Sequence, residues 1–74
     1  MDIRKRLGKN IKHLREAKGL SQEKFGFEAE IHRTYVSDVE RGARNPTITI
    51  VERFAKALGV KPGHLLDADP ERKR

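Results

Sequence analysis

LSQEKFGFEAEIHRTYVSDVERG, the stretch from Leu20 to Gly42, decides the fold of this chain. Apolar residues recur at helical spacing on both sides of a short polar break, which predicts helices over residues 22–29 and 33–41. Ser21 is a good candidate to cap the first of these helices, and Gly42 is suited to end the second. The sequence therefore predicts two short amphipathic helices about three residues apart, joined by a tight turn.

The helix over 33–41 has one apolar face and one polar face. At about 100° per residue, Val36 and Val39 fall on the same side. An opposite arc of about 140° carries polar and charged side chains, namely Arg33, Thr34, Ser37, Asp38 and Arg41. This arrangement is typical of a helix-turn-helix, whose second helix can lie in the major groove of DNA. An ordinary solvated helix would show the same wheel, and the turn and flanking residues favour the DNA interpretation.

The N-terminal part of such a helix usually reads the bases, which favours Arg33 and Thr34 first and Ser37 second. An arginine can donate two hydrogen bonds to guanine, and a threonine methyl can touch the methyl group of thymine. Asp38 has two possible roles: it can accept a hydrogen bond from cytosine, or it can orient a neighbouring arginine.

Five residues are candidates for contact with the DNA backbone: Gln22, Tyr35, Arg41, Arg44 and Asn45. Gln22 begins a helix, where its amide and the free backbone N–H groups can meet a phosphate. Tyr35 lies at the edge of the polar arc, where it either donates its hydroxyl to a phosphate or covers the rim of the core. The alternative for Arg44 and Asn45 is turn chemistry before Pro46.

Three further helical segments flank this unit, over residues 3–18, 48–58 and 62–66, each with an apolar stripe or an apolar pair to bury. The predicted fold class is all-α, a five-helix domain over residues 1–67 in which the second and third helices form the helix-turn-helix. Residues 68–74 have no apolar period and are expected to form a charged C-terminal tail.

Glu40 lies near the inner edge of the third predicted helix. A half-buried carboxylate needs a partner, and Arg15 flanks the apolar stripe of the first helix. We expect an Arg15–Glu40 ion pair with a structural role, locking the first helix to the third.

Composition limits the class of function. The 74 residues include 17 Lys and Arg against 11 Asp and Glu, a net charge of +6 that favours a polyanionic partner. The chain has no cysteine, its three histidines are far apart, and no nucleophile sits with a matching base, so we expect neither an enzyme nor a metal or other cofactor. We also expect no secretion leader, no membrane span, no small-molecule ligand and a cytoplasmic location.

LREAKGLSQE, VSDVERG and RNPTITIVERFAKALGV together resemble the Cro and lambda-repressor-like helix-turn-helix regulators, the XRE family. The resemblance covers about residues 5–66. Within that family, HRTYVSDVERGARN looks most like the small controller proteins of restriction–modification systems. The resemblance implies transcription regulation through double-stranded DNA.

The resemblance also implies residue roles. Residues matching Arg33, Thr34 and Ser37 face bases in such proteins, and the pair matching Arg15 and Glu40 bridges helices. Four others would approach the backbone or the groove edge: Gln22, Tyr35, Arg44 and Asn45. These regulators are typically homodimers joined through their last helices, which by position implicates Ile50, Phe54 and Leu65.

Two residues depart from the family pattern, and a third is unusual. Glu30 stands where the turn usually has Gly, and Gly26 stands where the second helix usually has Ala, each at a cost of up to about 1 kcal/mol. Phe27 occupies a position that is often polar. It either packs against the first helix or, if exposed, belongs to a contact surface.

One recognition helix reads too few base pairs to select a site in a genome. We therefore expect a homodimer on a pseudo-palindromic operator, with half-sites roughly one helical turn apart. The residues leave open a restriction–modification controller, a phage-type repressor, an antitoxin autorepressor and a helix-turn-helix docking module without DNA binding.

Overall fold

The structure, a computed structural model, describes residues 2–68. Within this range it is all-helical, with α1 (Ile3–Ala17), α2 (Gln22–Ala29), α3 (Arg33–Glu40) and α4 (Ile48–Leu58) followed by a 3-10 helix (Pro62–Leu66). The predicted tail over 68–74 lies, apart from residue 68, outside the described residues.

Polar side chains cap the N-terminus of each α-helix. At the start of α1, the Asp2 side chain accepts a hydrogen bond from the N–H of Arg4. At the start of α2, the Ser21 hydroxyl accepts one from the N–H of Lys24. At the start of α4, the Thr47 hydroxyl accepts one from the N–H of Ile50. The cap of α3 is His32, whose Nδ1 lies 3.0 Å from the amide nitrogen of Thr34. Each cap supplies an acceptor for a backbone donor that the first helical turn leaves unpaired.

The expected fifth helix is shorter and tighter than an α-helix. Residues Pro62–Leu66 form a 3-10 helix, and Asp67 donates its N–H to the carbonyl of His64, three residues back. A five-residue segment that begins Pro-Gly gains too few α-helical hydrogen bonds to offset its ordering. The buried amide of Asn10 holds this segment on α1 by donating to the carbonyls of Leu65 and Asp67.

One apolar core lies between the helices. The rings of Phe25 and Phe54 stack with centroids 5.6 Å apart. Ile11, Val36 and Leu65 are also completely buried in it.

Phe54 and Leu65 therefore do not contribute to a surface for dimerisation, contrary to the expectation from position. Both are completely buried within the single chain, because they extend the apolar stripe that packs α4 and the 3-10 helix on the core. Ile50, the third residue implicated, is half-buried and packs at the margin of the same core.

Gly8 brings α1 and α3 into backbone contact. A Cβ atom at this position would lie 2.2 Å from the carbonyl oxygen of Val39 and 2.7 Å from that of Glu40. Because any larger residue would collide with the backbone of α3, this glycine fixes how closely the two helices approach.

Candidate nucleic-acid interface

α3 turns its apolar face inward and its polar face outward. Val36 and Val39 are buried, whereas Arg33 and Thr34 are exposed in the first turn of the helix. Ser37, one turn later, is half-buried. The first turn of α3 is thus the part whose side chains are free to reach a ligand in solution.

The N-terminus of α2 is tied to the end of α3 by hydrogen bonds. Glu40 accepts from Arg15 Nε at 2.7 Å and from Gln22 Nε2 at 3.0 Å. Arg15 also donates through Nη2 to Glu40 and through Nη1 to the carbonyl of Leu20. The hydrogen bond to Glu40 raises the pKa of Arg15 above its usual range. The Glu40 carboxylate thus links α1, α2 and α3 through hydrogen bonds to Arg15 and Gln22.

Gln22 was expected from the sequence to meet a phosphate. Its side chain is half-buried and one amide hydrogen is engaged by Glu40. An amide nitrogen has two donors, so the second is left for a ligand at the α2 N-terminus.

The chain reverses direction at the end of α3. Gly42, with φ of 77°, donates to the carbonyl of Val39, and Ala43 donates to that of Asp38. This is the hydrogen-bond pattern of a Schellman cap. Because of this reversal, Arg44 lies beside the last turn of α3.

Four candidate residues meet at this reversal. The two oxygens of Asp38 contact Arg41 Nη2 and Arg44 Nε, the latter at 3.3 Å. The guanidinium carbon of Arg44 lies 4.8 Å from the centroid of the Tyr35 ring, a cation–π contact. Asn45 follows in the exposed loop. The structure therefore gathers Tyr35, Asp38, Arg41 and Arg44 into one cluster, separate from Arg33 and Thr34 at the other end of α3.

Sequence reasoning missed one of these contacts and predicted another only in part. The hydrogen bond from Gln22 to Glu40 joins residues 18 positions apart, and no local pattern signals it. The contacts of Asp38 had a partial signal, because Arg41 lies three residues further along the same helix. The contact with Arg44 depends on the reversal at Gly42 and needed the three-dimensional path of the chain.

Residues 2–68 show neither a metal site nor a membrane span. That range contains no group of three or more His, Asp or Glu side chains placed to hold a metal ion. Nor does any of its helices have the length and apolar composition needed to cross a bilayer.

Known proteins share both the sequence and the fold. The control protein C.BamHI of Bacillus amyloliquefaciens is 48% identical over 67 residues, which cover 89% of this chain and 83% of that protein. The crystal structure of the restriction-modification controller protein C.AhdI from Aeromonas hydrophila is 40% identical, with a TM-score of 0.81 over 84% of this chain and 94% of that one.

A third relative was solved with DNA. The restriction-modification controller protein C.Esp1396I, a tetramer in complex with its natural 35 base-pair operator, is 32% identical. Its TM-score is 0.80, covering 88% of this chain and 86% of that one. All three relatives are named as control or controller proteins, not as enzymes. The helix-turn-helix family model matches residues 11–65, and the resemblance inferred from the motifs is confirmed: the chain belongs to the helix-turn-helix family.

Proposed function

We propose that this protein is a sequence-specific, double-stranded-DNA-binding transcription regulator. The observation that carries the proposal is the orientation of α3, with Val36 and Val39 in the core and Arg33 and Thr34 in solvent. A helix held in this way can enter a major groove with its first turn against the base edges. The net charge of +6 favours the approach to phosphates.

The two ends of α3 have different roles in this proposal. Arg33 and Thr34, with Ser37 behind them, contact bases. The cluster of Tyr35, Arg41 and Arg44, together with Gln22 and Asn45, contacts the sugar-phosphate backbone. Backbone contacts fix the register of the protein on the duplex and carry no sequence information themselves.

The regulator acts as a homodimer on a pseudo-palindrome. A two-fold dimer places two copies of α3 about one helical turn apart, which doubles the number of base pairs read. Phe54 and Leu65 are inside the chain, so the dimer contact must come from other side chains. Ile48 is 87% exposed at the start of α4 and borders a shallow depression with Thr49, Glu52 and Pro62. We assign the dimer contact to this face.

The dimer surface is tested by sedimentation of Ile48→Glu beside a matched control, Phe27→Glu. Phe27 is 80% exposed on α2, so the control variant also replaces an exposed apolar side chain with a negative charge. We expect Ile48→Glu to shift the protein to monomer while the control stays dimeric. The reverse result would place the interface on α2, and a wild-type monomer at tens of micromolar with DNA would contradict the dimer itself.

Among regulators, the role of restriction-modification controller has the best support, because the relatives described above are control proteins. A phage-type role has weaker support: the immunity repressor of Bacillus phage phi105 is 34% identical over 55 residues, only 38% of its length. An antitoxin autorepressor is the third alternative. In each case the protein would act in the cytoplasm, on the DNA of the nucleoid.

Selection of bound fragments from a pool of random duplexes tests the central proposal. We expect an enriched pseudo-palindrome whose half-site spacing matches the separation of the two α3 helices. Binding should weaken with salt, with a slope of log K against log[salt] near −0.9 for each phosphate contacted. No enrichment and no salt-dependent binding to any duplex would instead favour a docking module that binds protein.

A further inference from the structure

We propose that Asp38 raises the selectivity of DNA binding by holding Arg41 and Arg44 in one fixed arrangement, and that it does not read a base. The inference rests on the proposed function. It assigns Asp38 the part of a positioning residue, acting through the two arginines.

Both carboxylate oxygens of Asp38 are already occupied. Oδ1 contacts Arg41 Nη2, and Oδ2 lies 3.3 Å from Arg44 Nε. To accept a hydrogen bond from cytosine, the carboxylate would have to share or release one of these partners. The Asp38 carboxylate is thus engaged by the two arginines and is not free to accept a hydrogen bond from a base in the major groove.

The Asp38 carboxylate is less exposed than the two arginines that it contacts. The Asp38 side chain is 20% exposed, whereas those of Arg41 and Arg44 are 64% and 50% exposed. The carboxylate therefore lies beneath two guanidinium groups that still have open faces towards solvent. A phosphate approaching from outside meets the arginines first and the aspartate behind them.

Arg44 is restrained from three directions. Its path is set by the backbone reversal at Gly42, its Nε is held by Asp38, and its guanidinium carbon lies over the Tyr35 ring. A side chain ordered in advance loses less conformational entropy when it binds. Duplex DNA seated in register with α3 can use this arrangement without rearranging it.

Random-sequence DNA contacts the same cluster without being held in register by base contacts from α3. Binding to random sequence depends almost entirely on phosphate contacts, which adaptable cations make best. Asp38 offers the arginines a competing anion and restricts their reach, so it weakens contacts out of register. The expected result is a larger ratio of operator affinity to random-sequence affinity.

The variant Asp38→Asn removes the charge and keeps the shape. The probes are a duplex recovered by selection with the wild-type protein and a random-sequence duplex of equal length. We expect the variant to bind random DNA more tightly and the ratio of affinities to fall about fivefold, the size of one exposed ion pair. The salt slope on random DNA should become more negative, by about 0.9 for each phosphate gained.

Two controls separate this effect from charge and from folding. Glu28→Gln removes an equal charge from the exposed surface of α2, at a residue with no assigned contact, and should leave the ratio unchanged. Asp38→Glu keeps the anion and should retain most of the selectivity. In an Arg41→Gln, Arg44→Gln background, Asp38→Asn should have no further effect, because its partners are gone.

Selection repeated with the Asp38→Asn protein completes the test. An unchanged motif with a lower ratio supports the inference. A new preference at one base pair would assign Asp38 to base reading, and an unchanged motif with an unchanged ratio would leave it no role in selectivity; either overturns the inference while the proposed function stands. If the wild-type protein selects no duplex, the proposed function fails and this inference fails with it.

Discussion

Arg15 on α1 and Glu40 at the end of α3 form a bidentate ion pair, with Nε 2.7 Å from Oε2 and Nη2 3.1 Å from Oε1. The side chains are only 9% and 3% exposed. Two charges so far from water depend on each other, because neither can regain its hydration in the folded chain.

Removing one partner should therefore cost far more than removing both. We expect Glu40→Gln to lower the free energy of unfolding by up to about 3–5 kcal/mol, since it leaves the buried Arg15 charge with only the exposed Glu16 carboxylate, 3.8 Å from Nη2, as a counterion. The double variant Arg15→Met, Glu40→Leu should recover most of that loss. Urea denaturation measures both. A loss below about 0.5 kcal/mol for Glu40→Gln, typical of a surface change, would show that the pair is not effectively buried.

Arg33 and Gln22 should affect DNA binding in different ways. Arg33→Ala should cost about 1–3 kcal/mol on the selected operator and relax the preference at one base pair. Gln22→Ala should weaken operator and random DNA alike, because its contact is with the backbone. Fluorescence anisotropy with both duplexes separates the two patterns. Equal losses on both duplexes for both variants would refute this division of roles.

Glu30 is the one non-glycine residue with positive φ, at 59°, among residues 2–68. A side chain with a Cβ is strained in this left-handed conformation, so Glu30→Gly should stabilise the protein by about 1 kcal/mol. The carbonyl that accepts from Arg53 is retained. Glu28→Gly, inside α2, is the matched control and should destabilise by up to about 1 kcal/mol. Stabilisation by both variants, or by neither, in urea denaturation would contradict the strain at Glu30.

Gly26 should resist replacement by alanine, although the family pattern usually has Ala at this position. A Cβ here would lie 2.5 Å from the carbonyl oxygen of Ile31, so the turn between α2 and α3 would have to move. We expect Gly26→Ala to lower the free energy of unfolding by about 1–3 kcal/mol because of this collision. Helix propensity alone would instead predict an increase of up to about 1 kcal/mol. Gly63→Ala, where a Cβ would meet nothing within 4 Å, is the control. A net gain from Gly26→Ala in thermal or urea unfolding would show that the turn yields easily.

Asp2 should make stability depend on pH in the acid range. The hydrogen bonds that it accepts, first from the Arg4 side chain and then from the Arg4 N–H, lower its pKa from 3.8 to about 2. Because the folded state has the lower pKa, the unfolded chain takes up the proton first as pH falls. The stabilisation is complete above about pH 4 and is lost towards pH 2.

Asp2→Asn keeps the cap and removes the titration, so its stability should change less than that of the wild-type protein over this window. Parallel unfolding curves from pH 5 to 2 make the comparison. Identical pH dependence in the two proteins would show that Asp2 does not contribute to it.

Local sequence signals predicted most of the helical framework. Ser21 and Thr47 begin α2 and α4 where the capping rules place them, and the apolar periods gave the limits of those two helices. α1 and α3 each end one residue before the predicted limit, at Ala17 and Glu40. These features depend on interactions within one helical turn, which a sequence displays directly.

The burial of Phe54 was missed although the sequence held a signal. Phe54 lies three residues after Val51 and four before Leu58, the spacing of one buried stripe, whereas its assignment to a dimer came from position in the family. The cluster around Asp38 was predicted only in part, as one of two alternatives and without Arg44 as a named partner. Its geometry depends on the backbone reversal at Gly42, and the distance between Asp38 and Arg44 cannot be read from helical periodicity.

The backbone contact at Gly8 limits how this scaffold can acquire a new target. At Gly8 no side chain separates the two backbones, so at this point of closest approach the tilt of α3 has no spacer whose size a mutation could tune. Altering the docking angle would require a collision or a gap between two main chains, either of which costs stability. Adaptation to another operator must therefore proceed by exchanging outward side chains such as Arg33 and Thr34 on a helix of fixed pose.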